Sequence, residues 1–150
     1  MSQLLNPRRN LNTLQYLEQL TVLTHRKKKS ATRLTKSSKI IKTIIAAIQE
    51  KKGQHIVSLD LRKINEAVAD FFIICQANNQ PQIRAITDFV EEEVKKKCNE
   101  SPYHYEGKEN MQWVILDYVN VVVHIMIPEQ RKFYKLEEMW SDAAGEEHGD

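Results

Sequence analysis

The chain has 150 residues, 41% of them apolar, and a formal net charge of +2, which is enough to bury one core and too little for two comfortable ones. No apolar run approaches the roughly 18 residues that span a bilayer, and the amino terminus lacks the unbroken apolar stretch of a secretory signal, so a soluble intracellular protein with no membrane partner is expected. Only two cysteines occur, Cys75 in an apolar run and Cys98 at a lysine-rich helix end; they offer neither a disulfide framework nor paired zinc spacing, and both read as reduced thiols.

The small net charge conceals an asymmetry. Met1 to Lys42 holds ten Lys/Arg against the single acid Glu18, whereas Thr43 to Asp150 holds twelve against nineteen acids. An acidic body repels phosphate backbones and suits a basic protein partner, while a basic leader is the part suited to nucleic acid. Within residues 1–38, Leu11, Leu14, Leu17 and Leu20 would support a short amphipathic helix, but the Arg26 to Lys29 cluster and the Ser/Thr/Lys mixture after it read as a solvated linker. Residues 1–38 are therefore expected to be a basic extension, disordered or weakly helical, with an organellar transit peptide as the open alternative.

Ordered sequence begins at Ser37 and Ser38, plausible helix caps, followed by Ile40, Ile41, Ile44, Ile45 and Ile48 on one face of a helix that Gly53 should stop in a left-handed conformation. Ile56 to Leu61 predicts a strand, and Val68 to Cys75, apolar on both faces, predicts a buried one. Asn78 to Pro81 opens a second helix with a core stripe of Ile83, Ile86, Phe89, Val90 and Val94, and its glutamates and lysines form a wet face. Ser101-Pro102 ends it. Tyr103 to Glu106 predicts a short strand, and Gln112 to Tyr118 and Val121 to Ile127 predict a hairpin whose Asn120 would take the positive φ of the turn. Pro128 opens a helical stretch to near Trp140, leaving residues 144–150 as an acidic tail. The fold class is α/β, a mixed sheet of about five strands covered by helices.

The chemistry is sparse. Asp60, Asp70 and Asp117 lie at or near strands, but they contain no Asp-x-Asp pair and the chain has no glycine-rich phosphate loop, so nucleotidyl transfer is a weak reading and no catalytic residue is assigned. No two histidines have metal-ligand spacing, so neither a metal nor any other cofactor is expected. His124, alone in an apolar strand, reads as a hydrogen-bonded structural or interface residue. Binding fits better: Trp113, Tyr118, Tyr134 and Trp140 are the side-chain types that anchor interfaces, and Arg131 can make bidentate contacts. Asp117 and Tyr118, at the hairpin mouth, are expected to be exposed, and Leu136 and Trp140, at i,i+4 spacing, to face the core.

The runs Val68 to Cys75, Glu106-Gly107, Trp113 to Tyr118, Val121 to His124, Pro128 to Arg131, Phe133-Tyr134, Leu136-Glu137 and Trp140 to Ala143 resemble the ribosomal silencing factor family, RsfS or Iojap-like, over about Ile40 to Ala143. The resemblance implies an RsfS-like domain over 39–143 with a fold like that of nucleotidyltransferases, although fold likeness alone does not decide function. It further implies a translation repressor that binds large-subunit ribosomal protein fourteen and sterically blocks subunit joining, with large-subunit assembly as the role of organellar relatives. The partner-binding set on this reading is Trp113, Asp117, Tyr118, His124, Arg131, Tyr134, Leu136 and Trp140. Minor contact of the basic extension with ribosomal RNA, a weak homodimer when free, and a cytoplasmic location (organelle matrix if the leader is a transit peptide) complete the expectations. The chain departs from the family at Val119-Asn120, where Gly-Asp commonly follows the Asp-Tyr pair.

Overall fold

In the computed structural model, residues 34–35, 38–64 and 67–149 are described; the leucine-periodic helix expected near residues 11–20 lies outside them. The elements in chain order are α1 (Lys39–Glu50), β1 (Gln54–Asp60), β2 (Phe71–Gln76), α2 (Gln80–Cys98), β3 (His104–Glu106), β4 (Trp113–Asp117), β5 (Val121–Met126), α3 (Pro128–Tyr134), α4 (Leu136–Met139) and β6 (Ala144–His148). One six-stranded sheet runs β3-β4-β5-β2-β1-β6. It is mixed, because β2 and β5 pair in parallel while the other neighbours are antiparallel.

The central strands are apolar on both faces because both are covered. In β2, Phe71, Ile73 and Cys75 join the core beneath α1 and α2, and the alternate Phe72 and Ile74 join the core beneath α3 and α4. β4 and β5 split the same way: Val114, Leu116, Val121 and Val123 face the first layer, Trp113, Ile115 and Val122 the second. Ile44 and Ile48 of α1 are wholly enclosed, so truncating either to alanine should cost about 2–5 kcal/mol. Among the described residues no helix is long and apolar enough to cross a membrane.

Several expectations need correction. The sheet has six strands, not about five, because the acidic tail is not a tail: Ala144–His148 pairs antiparallel with β1. Its side chains show no apolar alternation, so main-chain pairing, not a buried face, makes it a strand. β2 starts at Phe71; Val68 to Asp70 are buried in the bend before it. The last helix is two helices, broken where Lys135 adopts φ 49°. After α1 the left-handed residue is Lys52 (φ 65°), and Gly53 is needed instead because a Cβ there would collide with the Ile48 side chain. In the β4–β5 turn the positive φ falls on Val119 (74°), not on Asn120. Finally, ordered contacts precede residue 38: the Leu34 N–H donates to Asp70 Oδ2 at 3.1 Å, and Leu34 packs against the core.

Candidate partner-binding site

The sheet face under α3 and α4 gathers most of the expected site. Trp113 opens β4 opposite Met126 of β5, and His124, two residues before Met126, lies diagonally across from it; both point to this face, and the indole Nε1–H donates to His124 Nδ1 at 3.1 Å. The Tyr134 ring packs on Trp113 with centroids 4.5 Å apart. Phe72 lies 4.7 Å from the imidazole, and Trp140 meets Phe72 edge-on at 5.8 Å. Leu136 is buried in the same cluster. Trp113, His124, Tyr134, Leu136 and Trp140 thus form one continuous layer in which the short helices rest on a floor of rings.

Asp117 and Tyr118 do not belong to it. They sit at the other end of β4, and their expected exposure is overturned: Asp117 is 1% exposed and Tyr118 5%. The physical reason is local. The Asp117 carboxylate turns back to accept the Val119 N–H at 2.7 Å, fixing the turn, while the Tyr118 ring joins the opposite core, beneath α1 and α2. Burial, then the nearby Glu91 and Glu100 carboxylates, raise the phenol well above its ordinary range.

Arg131 is committed within the protein. Its Nε and Nη2 donate to the two oxygens of Glu137 at 3.1 and 3.0 Å, and its Nη1 donates to the His55 carbonyl at 2.6 Å and to Gln76 Oε1 at 3.3 Å. The bidentate capacity read from the sequence is therefore spent clamping α4 and the bulged start of β1 to α3. His124 is fully buried and its pKa is lowered to about 3 by desolvation, so it is neutral at physiological pH. The Cys75 thiol is pushed up to about 12, again by burial, and is inert.

The three strand-associated aspartates have separate partners. Asp60 holds Arg62 through two contacts at 2.8 and 2.6 Å, Asp70 holds Leu34 and Asp117 holds Val119. Among the described residues no group of three or more His, Cys, Asp or Glu could hold a metal ion.

Of the eight expected residues, only Arg131 and Trp140 are partly accessible, and six are buried. Sequence reasoning passed over the exposed large side chains: Tyr103 (53%), Tyr105 (52%) and Met139 (37%). The signal for the tyrosines was their i,i+2 spacing, Tyr103 just before and Tyr105 within a strand too short to be covered. Met139 gave none, since Leu136 and Trp140 on either side define the buried stripe.

Comparison with known proteins agrees with this fold. A family model described as ribosomal silencing factor during starvation matches residues 34–150. A protein of Bacillus subtilis (strain 168) named ribosomal silencing factor RsfS is 36% identical over 107 residues, covering 69% of this chain and 86% of that protein. A mouse protein named mitochondrial assembly of ribosomal large subunit protein 1 is 32% identical over 74 residues, which is 48% of this chain and 32% of the mouse protein. The crystal structure of a Chromobacterium violaceum protein superposes with a TM-score of 0.64 at 30% identity, covering 68% of this chain and 83% of that one.

Proposed function

The chain belongs to the ribosomal silencing factor family, and we propose that it binds the large ribosomal subunit through ribosomal protein fourteen and represses translation by sterically blocking subunit joining. The family match over residues 34–150 is the observation that carries this reading. Catalysis is not part of this reading: among the described residues Asp70 accepts the Leu34 N–H, Asp60 holds Arg62 and Asp117 accepts the Val119 N–H, which favours binding over the nucleotidyltransferase alternative.

The partner contacts the outer side of α3 and α4, where Met139 and the partly exposed Trp140 supply apolar surface. Trp113, His124, Tyr134 and Leu136 position that surface from beneath, and Arg131 fixes the angle between the helices through Glu137. Burial removes Asp117 and Tyr118 from direct contact. The acidic body, −7 over Thr43 to Asp150, suits a basic ribosomal protein.

Large-subunit assembly in an organelle matrix, in place of cytoplasmic silencing, is the second reading, favoured by the mouse relative. Sedimentation of purified subunits with the protein tests the proposal. The protein comigrates with free large subunits and lowers the fraction of joined ribosomes; comigration with small subunits alone overturns it, and large-subunit binding with joining intact favours assembly.

A further inference from the structure

The sheet ends on β6, and among the described strands none pairs with its outer edge. Natural sheets blunt such an edge with short strands, charged side chains, proline, a bulge or a covering element, because its open N–H and C=O groups accept any compatible strand. β6 relies on charge, through Glu146 and Glu147, and has no proline, lysine or bulge: its register against β1 is unbroken from Ala144↔Asp60 to His148↔Ile56, and Ala144 to Glu147 are exposed, so the edge turns away strands that do not match that charge. Glu146 and Glu147 are consecutive in a strand and so point to opposite faces, which places a carboxylate on each side of the open edge, that of Glu146 lying 3.8 Å from His148 Nδ1. From Leu136 to Asp150 the chain has six acids and no Lys or Arg. A cleft of about 610 Å³ beside the end of β6 is lined by Glu147 and by the mutually paired Arg131 and Glu137.

We propose that the outer edge of β6 receives an extended, lysine- or arginine-rich segment of a partner protein as an added strand. Main-chain hydrogen bonds supply the affinity of such an addition, and the carboxylates on both faces select a segment that is basic on both faces. Nucleic acid is repelled by the same carboxylates. A second copy is disfavoured because pairing β6 with itself sets like charges across the new seam. The site goes beyond the silencing reading and stands or falls separately from it.

The test is amide hydrogen exchange on the full chain with a synthetic peptide alternating lysine and threonine, and with a control alternating glutamate and threonine. The lysine peptide slows exchange in residues 144–148 and the glutamate peptide does not. Glu146→Lys with Glu147→Lys leaves the melting temperature unchanged and weakens lysine-peptide binding roughly tenfold, the effect of two exposed charges reversed. Protection at His104–Glu106 instead of β6, equal binding of both peptides, or an unaffected double variant overturns the proposal. So does β6 protection without peptide that disappears in the Lys27→Ser, Lys28→Ser, Lys29→Ser variant, since the occupant is then this chain's own basic segment.

Discussion

Trp113 donates its indole N–H to Nδ1 of His124, and this single bond fixes the tautomer of a wholly buried imidazole. A nitrogen that accepts cannot carry the proton, so the proton is on Nε2 and the ring is neutral. Protonating His124 would turn that acceptor into a donor facing the Trp113 donor inside an apolar layer.

Stability should therefore fall in acid with a defined sign. The folded pKa is about 3 against 6.5 for the free group, so between these values the unfolded chain binds more protons. The His124 contribution is full above about pH 6.5 and is lost as pH falls towards 3, with a slope of up to about 1.4 kcal/mol per pH unit. Denaturant melts across this range check it, and His124→Gln should flatten the slope. An unchanged slope in the variant would assign the acid sensitivity to other groups.

Val119 holds φ 74°, a conformation that costs a β-branched residue about 1–3 kcal/mol. Val119→Gly relieves that strain and adds chain entropy to the unfolded state, so a net gain of about 1 kcal/mol is expected in urea melts. Val119→Ala, which keeps a Cβ, should gain less. Equal stability of all three proteins would show that the turn stores no strain.

Much of the fold was legible because the signals were local and strong. The isoleucine stripe of α1, the Asn78 to Pro81 turn that opens α2 with its proline at the first helical turn, and the two-face apolarity of β2 each have one structural solution. β6 was not legible, since a strand made by edge pairing needs no apolar period. Residue type pointed to the aromatic layer as a binding surface, but type cannot separate a ring that floors a helix from one that faces a partner. The sequence therefore led to one contiguous aromatic layer and, for Trp113, His124 and Tyr134, to side chains that are buried in it. Tyr118 was misread for another reason: its neighbour Asp117 bonds within the turn, leaving the strand pleat to carry the ring inward.

Tyr118→Ala tests that correction. As a core residue, 5% exposed, its truncation should cost about 3 kcal/mol or more in folding. Binding to the large subunit should then fall only in proportion to the unfolded fraction. A stable variant with a large binding loss would return Tyr118 to the interface.

The domain boundary can be tested in the same way. Asp70 is fully buried and accepts the Leu34 N–H, while Arg62 Nη1 reaches the Leu34 carbonyl at 3.5 Å. A chain beginning at Ser38 loses these contacts, and should be less stable than one beginning at Leu34 by about 1–3 kcal/mol, the usual cost of removing one partner from a buried polar group. Identical melts would place the boundary at residue 38 after all.

The partner surface is best tested at a residue whose loss leaves the core alone. Trp140 packs edge-on against Phe72, so its removal would mix stability with binding; Met139 is 37% exposed and lies beside it on α4. Met139→Glu should leave the melt within about 0.5 kcal/mol of the parent. A charge in the middle of an apolar contact should also weaken cosedimentation with large subunits by roughly tenfold or more, about 1.4 kcal/mol. Tyr105→Ser is the control, because it removes an exposed aromatic side chain from β3 at the far edge of the sheet. If Tyr105→Ser weakens binding and Met139→Glu does not, the contact surface belongs to the β3 edge and the outer face of α3 and α4 is excluded.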